Sequence, residues 1–185
     1  MAPIKSNNPY APYFNYFSKS GLDAVSPEPP PPEGMTATGG IISDYESGGK
    51  KYRAHVFTST GTFSVSDLGD ISSTIDYLVI GGGGGGGSLG GGGGAGLLRY
   101  KVDQPISIGP YAITIGGGGQ GSGAHPTGTN YGLDGSSTVF SLPSAVTSPG
   151  GGGGGGEGTA GRAGGSAGAD GNNAPTSSND APGDS

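Results

Sequence analysis

His55 and His125 are the only histidines in this 185-residue chain, and general acid–base catalysis near neutral pH draws on histidine before any other side chain. His55 sits inside the alternating run from Lys51 to Thr58, a setting for packing or a hydrogen bond rather than proton transfer. His125 lies in the polar stretch from Gln120 to Asp134, where it could touch a ligand, but no nucleophile with a partner base stands near it. Asp67, Asp70 and Asp76 are close in sequence without the spacing of a calcium loop. Tyr77-Leu78-Val79-Ile80 runs into glycines and so satisfies G-x-G-x-x-G trivially, with Asp103 near the place of a ribose-binding acid. The dinucleotide fingerprint needs a helix to open after its third glycine, so that the helix N-terminus faces the pyrophosphate. More glycine cannot supply that helix. The phosphate-binding pattern G-x-x-x-x-G-K-[ST] does not occur, and without cysteine there are no thiolate metal sites or disulfides. The residues assemble no catalytic site, no metal site and no cofactor site, and the expectation is a protein that is not an enzyme.

The glycines themselves are the larger signal. Three uninterrupted tracts run from Gly81 to Gly87, Gly90 to Gly94 and Gly150 to Gly156, with a shorter one from Gly116 to Gly119. Such tracts act through backbone amides and carbonyls alone. One fate is a flexible linker, since glycine visits both signs of φ and loses the most entropy when ordered. The other is a lattice of polyglycine II-like helices. Polyproline II geometry makes no internal hydrogen bonds, and only glycine lets such backbones touch. Ordering one seven-residue tract costs on the order of 10 kcal/mol in backbone entropy, so a lattice needs several tracts in register. The tracts recur between short strand-like apolar segments, and the first follows Ile75 to Ile80 with no polar spacer. Both features favour the lattice.

Composition limits the rest. With 45 glycines and 30% hydrophobic residues the chain has room for one small apolar core, which argues for oligomerisation or docking on a larger body. A net charge of -6 speaks against nucleic acid as a partner. No apolar stretch approaches the roughly 20 residues that span a bilayer, so no membrane partner is expected.

Four regions follow. Residues 1–25 carry Tyr10, Tyr13, Phe14, Tyr16 and Phe17 among prolines, an anchor peptide suited to a groove on another protein, with packing on the neighbouring domain as the alternative. Residues 26–39 contain Pro27 and Pro29 to Pro32, a stiff spacer. Residues 40–147 form a β-rich head with embedded glycine tracts. Strands are expected over Lys51 to Thr58, Thr62 to Ser66 with Phe63 and Val65 on one face, Ile75 to Ile80 buried on both faces, Leu97 to Val102, Ile106 to Ile108, Tyr111 to Ile115 and Ser137 to Phe140. Asp103-Gln104-Pro105 and Gly109-Pro110 read as turns. Residues 148–185 are a glycine-rich, low-complexity tail that reads as disordered alone and as ordered if it continues the lattice. Its close at Asp180 to Ser185 does not resemble a packed terminus, and a longer natural chain is expected. The fold class is mainly β: an extended N-terminal anchor, a small β-sandwich or trimeric β-prism, and polyglycine II-like tracts.

The run Tyr52-Arg53-Ala54-His55-Val56-Phe57-Thr58-Ser59-Thr60-Gly61-Thr62-Phe63, followed by Tyr77 to Ile80 and by Gly81 onward to Leu98, resembles the glycine-rich domain of bacteriophage virion structural proteins and fibres. The start Met1-Ala2-Pro3-Ile4-Lys5-Ser6-Asn7 is similar to that of structural proteins of phages infecting marine bacteria, cyanobacteria especially. The glycine part resembles in style the polyglycine II tips of T-even-type long-tail-fibre adhesins, which carry many tracts where this chain shows few. The resemblance implies a structural protein on the virion of a tailed phage: a fibre or appendage, homotrimeric, attached to other virion proteins by its N-terminus. Gly81, Gly87, Gly90, Gly94, Gly116, Gly119, Gly150 and Gly156 would bound its scaffold. Ser88, Leu89, Gln120, His125 and Tyr131 would be the loop residues that touch a host-surface glycan or protein. The alternatives are a minor capsid, neck or baseplate protein without host contact, and a glycine-rich cell-surface protein unrelated to phage.

Overall fold

The computed structural model describes residues 33–123 and 131–174. The anchor residues Tyr10, Tyr13, Phe14, Tyr16 and Phe17, the spacer prolines Pro27 and Pro29 to Pro32, His125 and the chain's last residues lie outside the described residues, whereas residues 33–39 at the end of the expected spacer are described and enter a strand.

Among the described residues nine strands form in chain order: β1 (Thr36–Thr38), β2 (Ile41–Ser47), β3 (Lys50–Val56), β4 (Gly61–Asp67), β5 (Thr74–Ile80), β6 (Leu98–Pro105), β7 (Gly109–Thr114), β8 (Thr138–Phe140) and β9 (Val146–Ser148). They make an antiparallel five-stranded sheet in the order β1-β4-β7-β8-β9 and two hairpins, β2-β3 and β5-β6. The mainly β expectation is met, and no α-helix occurs among the described residues.

Alternation builds the core. Phe63 and Val65 on β4, Tyr111 and Ile113 on β7 and Phe140 on β8 turn the same way and are buried with Ala37, Val79 and Ile106. Phe140 is the hub, with its ring edge-on to Phe63, Tyr77 and Tyr111 at centroid distances of 6.3, 5.9 and 6.4 Å. Tyr77 and Val79 bring the β5-β6 hairpin onto this sheet, giving two layers as a sandwich requires.

Several local expectations are corrected. β5 is buried on one face only: Val79 points inward, whereas Leu78 and Ile80 are 57% and 52% exposed. Its apolar run has a single partner strand and nothing described over its outer face. Asp103-Gln104-Pro105 is no turn but the end of β6, where a register shift between Ile75 and Tyr77 puts Asp103 at φ 52° and its amide on the Asp76 carboxylate at 2.8 Å. Gly109-Pro110 opens β7, and Ile106 is a buried residue of the connection, not of a strand. The hairpin of β2 and β3 carries a stacked Tyr45–Tyr52 pair at 5.2 Å and an Asp44–Arg53 ion pair at 2.7 Å, on opposite faces.

The strands feed directly into the glycine segments. β5 continues into p1 (residues 81–87), which turns into p2 (91–97) and so into β6. β7 continues into p3 (116–122), p4 (132–137) leads into β8, and β9 leads into p5 (149–156). Two further segments, p6 (159–164) and p7 (165–171), follow. The strand pair thus sets the register of the glycine pair: Ile80 faces Leu98, and the next bond is Gly81 N to Leu97 O at 3.0 Å. At this junction the fully buried Ser148 donates its hydroxyl to the same Leu97 carbonyl.

Candidate functional site

Hydrogen bonds between the seven glycine segments recur every third residue, the period of polyglycine II. From p1, Gly81, Gly84 and Gly87 donate to Leu97, Gly94 and Gly91 of p2, while Gly82 and Gly85 donate to Ser136 and Leu133 of p4. Into p1, Gly119 and Ser122 of p3 donate to Gly83 and Gly86, and Gly151 and Gly154 of p5 donate to Gly82 and Gly85. The tracts are therefore a lattice, not linkers.

The central member is p5, in which Gly150 to Gly156 are all buried. It bonds to p1, p2, p4, p6 and p7. A Cβ added at Gly150 or Gly153 would come within 2.0 or 1.9 Å of a p4 carbonyl, at Gly151 or Gly154 within 2.0 or 2.2 Å of p2, and at Gly152 or Gly155 within 1.8 or 2.1 Å of p6. Three successive positions face three different helices, so every residue must be glycine. Outer helices need glycine only at the inward position. Gly132 and Gly135 of p4, Gly161 and Gly164 of p6, and Gly165, Gly168 and Gly171 of p7 are spaced by three, and each has backbone within 1.8–2.4 Å of an added Cβ. That triplet spacing is a signal the search for unbroken tracts passes over. It is why one chain makes seven helices among the described residues from few tracts.

Direction decides where the connections fall. p1, p3, p5 and p7 run away from the β body, and p2, p4 and p6 return. The turn 88–90, the end of p3 with the start of p4, the turn at Glu157-Gly158 and the turn at Asn172-Asn173 therefore collect at one distal end. Bonds across this end tie it together: Gly87 N to Gly91 O at 2.7 Å, Gly91 N to Gly155 O at 3.1 Å and Gly158 N to Asn172 O at 2.8 Å.

Of the sequence-predicted contact residues, Ser88, Leu89, Gln120 and Tyr131 lie at or near this end, and His125 lies outside the described residues. Ser88 and Leu89 form the first turn, with Leu89 56% exposed and held at φ 59°, a left-handed conformation rare for a bulky side chain. Gln120 is exposed on p3 two residues before its distal end, and Tyr131 is exposed just before the start of p4. Of the scaffold glycines, Gly81, Gly94, Gly150 and Gly156 are buried. Gly90, at φ 143°, turns the chain beside Asn172.

Sequence reasoning missed Asp134 and Arg162. The Arg162 guanidinium grips the Asp134 carboxylate through Nε and Nη2 at 2.7 and 2.8 Å, and lies 5.4 Å from the Tyr131 ring centroid. Arg162, together with the Gly153 amide, holds the Asp134 carboxyl below the usual carboxylate range, and Asp134 raises the Arg162 guanidinium. No spacing in the chain announces this pair, since its members stand 28 positions apart.

The other candidate side chains have structural partners. His55 Nδ1 is 2.7 Å from the Gly39 carbonyl and its ring is edge-on to Phe63 at 5.0 Å. Asp67 accepts the Gly69 amide at 2.8 Å, and Asp76 accepts that of Asp103. Among the described residues no group of three or more histidines and acids is placed to hold a metal ion.

A family profile described as a glycine-rich domain matches residues 58–185, from just before β4 through the whole lattice. The chain belongs to that glycine-rich domain family. Comparison with curated proteins and with solved structures gave no significant match. In this member of the family the described part of the glycine-rich domain holds a lattice of seven helices, five of which join directly to strands.

Proposed function

We propose that this chain is a structural virion protein of a tailed phage, a fibre or appendage that presents the distal end of its glycine lattice for host adsorption. The observation that carries the reading is the gathering, at the end of the lattice opposite the β body, of the turns at 88–90, Glu157-Gly158 and Asn172-Asn173 with the facing ends of p3 and p4. A core of backbone alone tolerates no variation, while the turns it supports vary at little cost. That is the division of labour of a display scaffold. Ser88, Leu89, Gln120 and Tyr131 are the contact residues for a host-surface glycan or protein, with His125 assigned to the same role from sequence. Individually weak contacts gain from many copies.

Attachment is assigned to the N-terminal segment. Residues 1–25, through Tyr10, Tyr13, Phe14, Tyr16 and Phe17, are assigned to other virion proteins. Two apolar hairpin faces support self-association into a homotrimer. One carries Leu78, Ile80, Leu98, Tyr100 and Val102, and the other Ile41, Tyr45, Tyr52 and Val56, all exposed.

The test is recovery of the protein from density-banded particles, with and without residues 1–25, followed by adsorption assays on loop variants. Loss of incorporation on deletion and altered adsorption on loop mutation are expected. Incorporation with unchanged adsorption would point to a minor capsid, neck or baseplate protein instead. Recovery from the cell envelope and never from particles would overturn the virion reading.

A further inference from the structure

Amides leave p5 in three directions. Gly151 and Gly154 donate to p1, and Gly152 and Gly155 to p7. The third direction lies between p4 and p6 and holds no helix among the described residues. Side chains stand there: Gly153 donates to Asp134 Oδ1 at 2.9 Å, and Gly156 to Thr159 Oγ1 at 2.7 Å. Asp134 comes from p4 and Arg162 and Thr159 from p6, so both flanking helices contribute. Five helices surround p5, and one more laid in this groove would complete a hexagonal set of six.

We propose that Asp134, clamped by Arg162, is a lattice stop: it takes the donor that another threefold helix would use and so prevents a second copy of this chain from adding its glycine segment here. A row of unpaired amides is a template for lateral addition, as at the edge of a β-sheet. The carboxylate oxygen is a stronger acceptor than the neutral carbonyl of an incoming chain. An intruder must also separate a bidentate ion pair and strip both partners of water before it gains its own bonds. Nothing in this inference depends on the virion reading.

Hydrogen exchange and sedimentation of the full chain test it. In the wild-type chain the Gly153 and Gly156 amides are expected to exchange as slowly as Gly151 and Gly154. Asp134→Ala is expected to speed Gly153 alone about tenfold, the scale of one net hydrogen bond, to raise the sedimenting mass above wild type, and to bind a synthetic peptide of residues 149–157. Asp134→Asn keeps an acceptor for Gly153 and should exchange slowly there. Arg162→Met leaves the Gly153 bond in place but frees the carboxylate, and should take up more peptide than wild type even if Asp134→Ala does not fold. Fast exchange at Gly153 in the wild-type chain, or no gain in peptide uptake by either variant, would overturn the proposal.

Discussion

A Cβ placed on Gly84 would stand 2.1 Å from the Gly152 carbonyl oxygen, whereas one on its neighbour Gly83 meets nothing nearer than Gly94 O at 3.8 Å. Adjacent and chemically identical residues thus differ only in threefold phase. Gly84→Ala should destabilise the chain by about 2 kcal/mol or more, because the obstacle is backbone that cannot rotate away. Gly83→Ala should be neutral or stabilise by about 0.5 kcal/mol through the unfolded chain, as Gly83 does not use a positive φ. Paired denaturant titrations check this. Equal losses in the two variants would mean that the segments are not threefold helices in this register.

Acid should loosen the lattice through Asp134. Its folded carboxyl lies below the ordinary value, chiefly through the Arg162 hydrogen bond. The stabilisation is therefore fully present above the unfolded carboxylate pKa of about 3.9 and is lost as pH falls through the lower, folded value. Asp44, lowered by Arg53, adds to the same acid limb. Thermal unfolding should be flat from neutral pH to about pH 5. Asp134→Asn should flatten the acid limb relative to wild type. An unchanged limb would place the ion pair's contribution near zero, which the 38% exposure of the Asp134 side chain makes a stringent test.

Leu89 is where the proposed display role can be separated from stability. At φ 59° a leucine is strained by about 1 kcal/mol, and at 56% exposure it recovers little by burial. Leu89→Gly should raise the unfolding midpoint while weakening adsorption, whereas a purely structural turn would gain stability with adsorption unchanged. A drop in stability would show that the side chain is held by contacts elsewhere.

The β alternation at Phe63, Val65, Tyr111 and Phe140 could be read from the chain because inward and outward residues differ there in polarity. In β5 that contrast is missing, since Leu78 and Ile80 are as apolar as Val79, and polarity alone cannot say which face lacks a second layer. β2, with Ser43, Asp44 and Glu46 among its residues, carries no strand signal until its register with β3 is known. The unbroken glycine tracts p1 and p5 announced themselves, whereas p4, p6 and p7 hide their lattice role because two residues in three are free to be leucine, arginine, alanine or aspartate. Of the distal site, the turns at Ser88 and Tyr131 were accessible from chain order. The Asp134–Arg162 contact was not, because it exists only after p4 and p6 are set on either side of p5.

The outer face of the β5-β6 hairpin is where self-association can be tested without touching the lattice. Leu78 and Tyr100 are direct cross-strand neighbours, 57% and 60% exposed, and Ile80 pairs with Leu98 beside them. Exposed apolar side chains clustered in one contiguous patch mark an interaction surface more often than side chains scattered singly do. The single change Leu78→Asp leaves the inward Tyr77 and Val79 untouched, so folding should shift by less than about 0.5 kcal/mol, as expected for surface substitutions. If this face joins copies of the chain, the charge must be desolvated on association, and the oligomer should weaken at least tenfold, the scale of about 1.4 kcal/mol. Sedimentation over a concentration series distinguishes the outcomes. A wild-type chain that remains monomeric would count against the proposed trimer, and a variant that associates as well as wild type would move the proposed contact away from this hairpin.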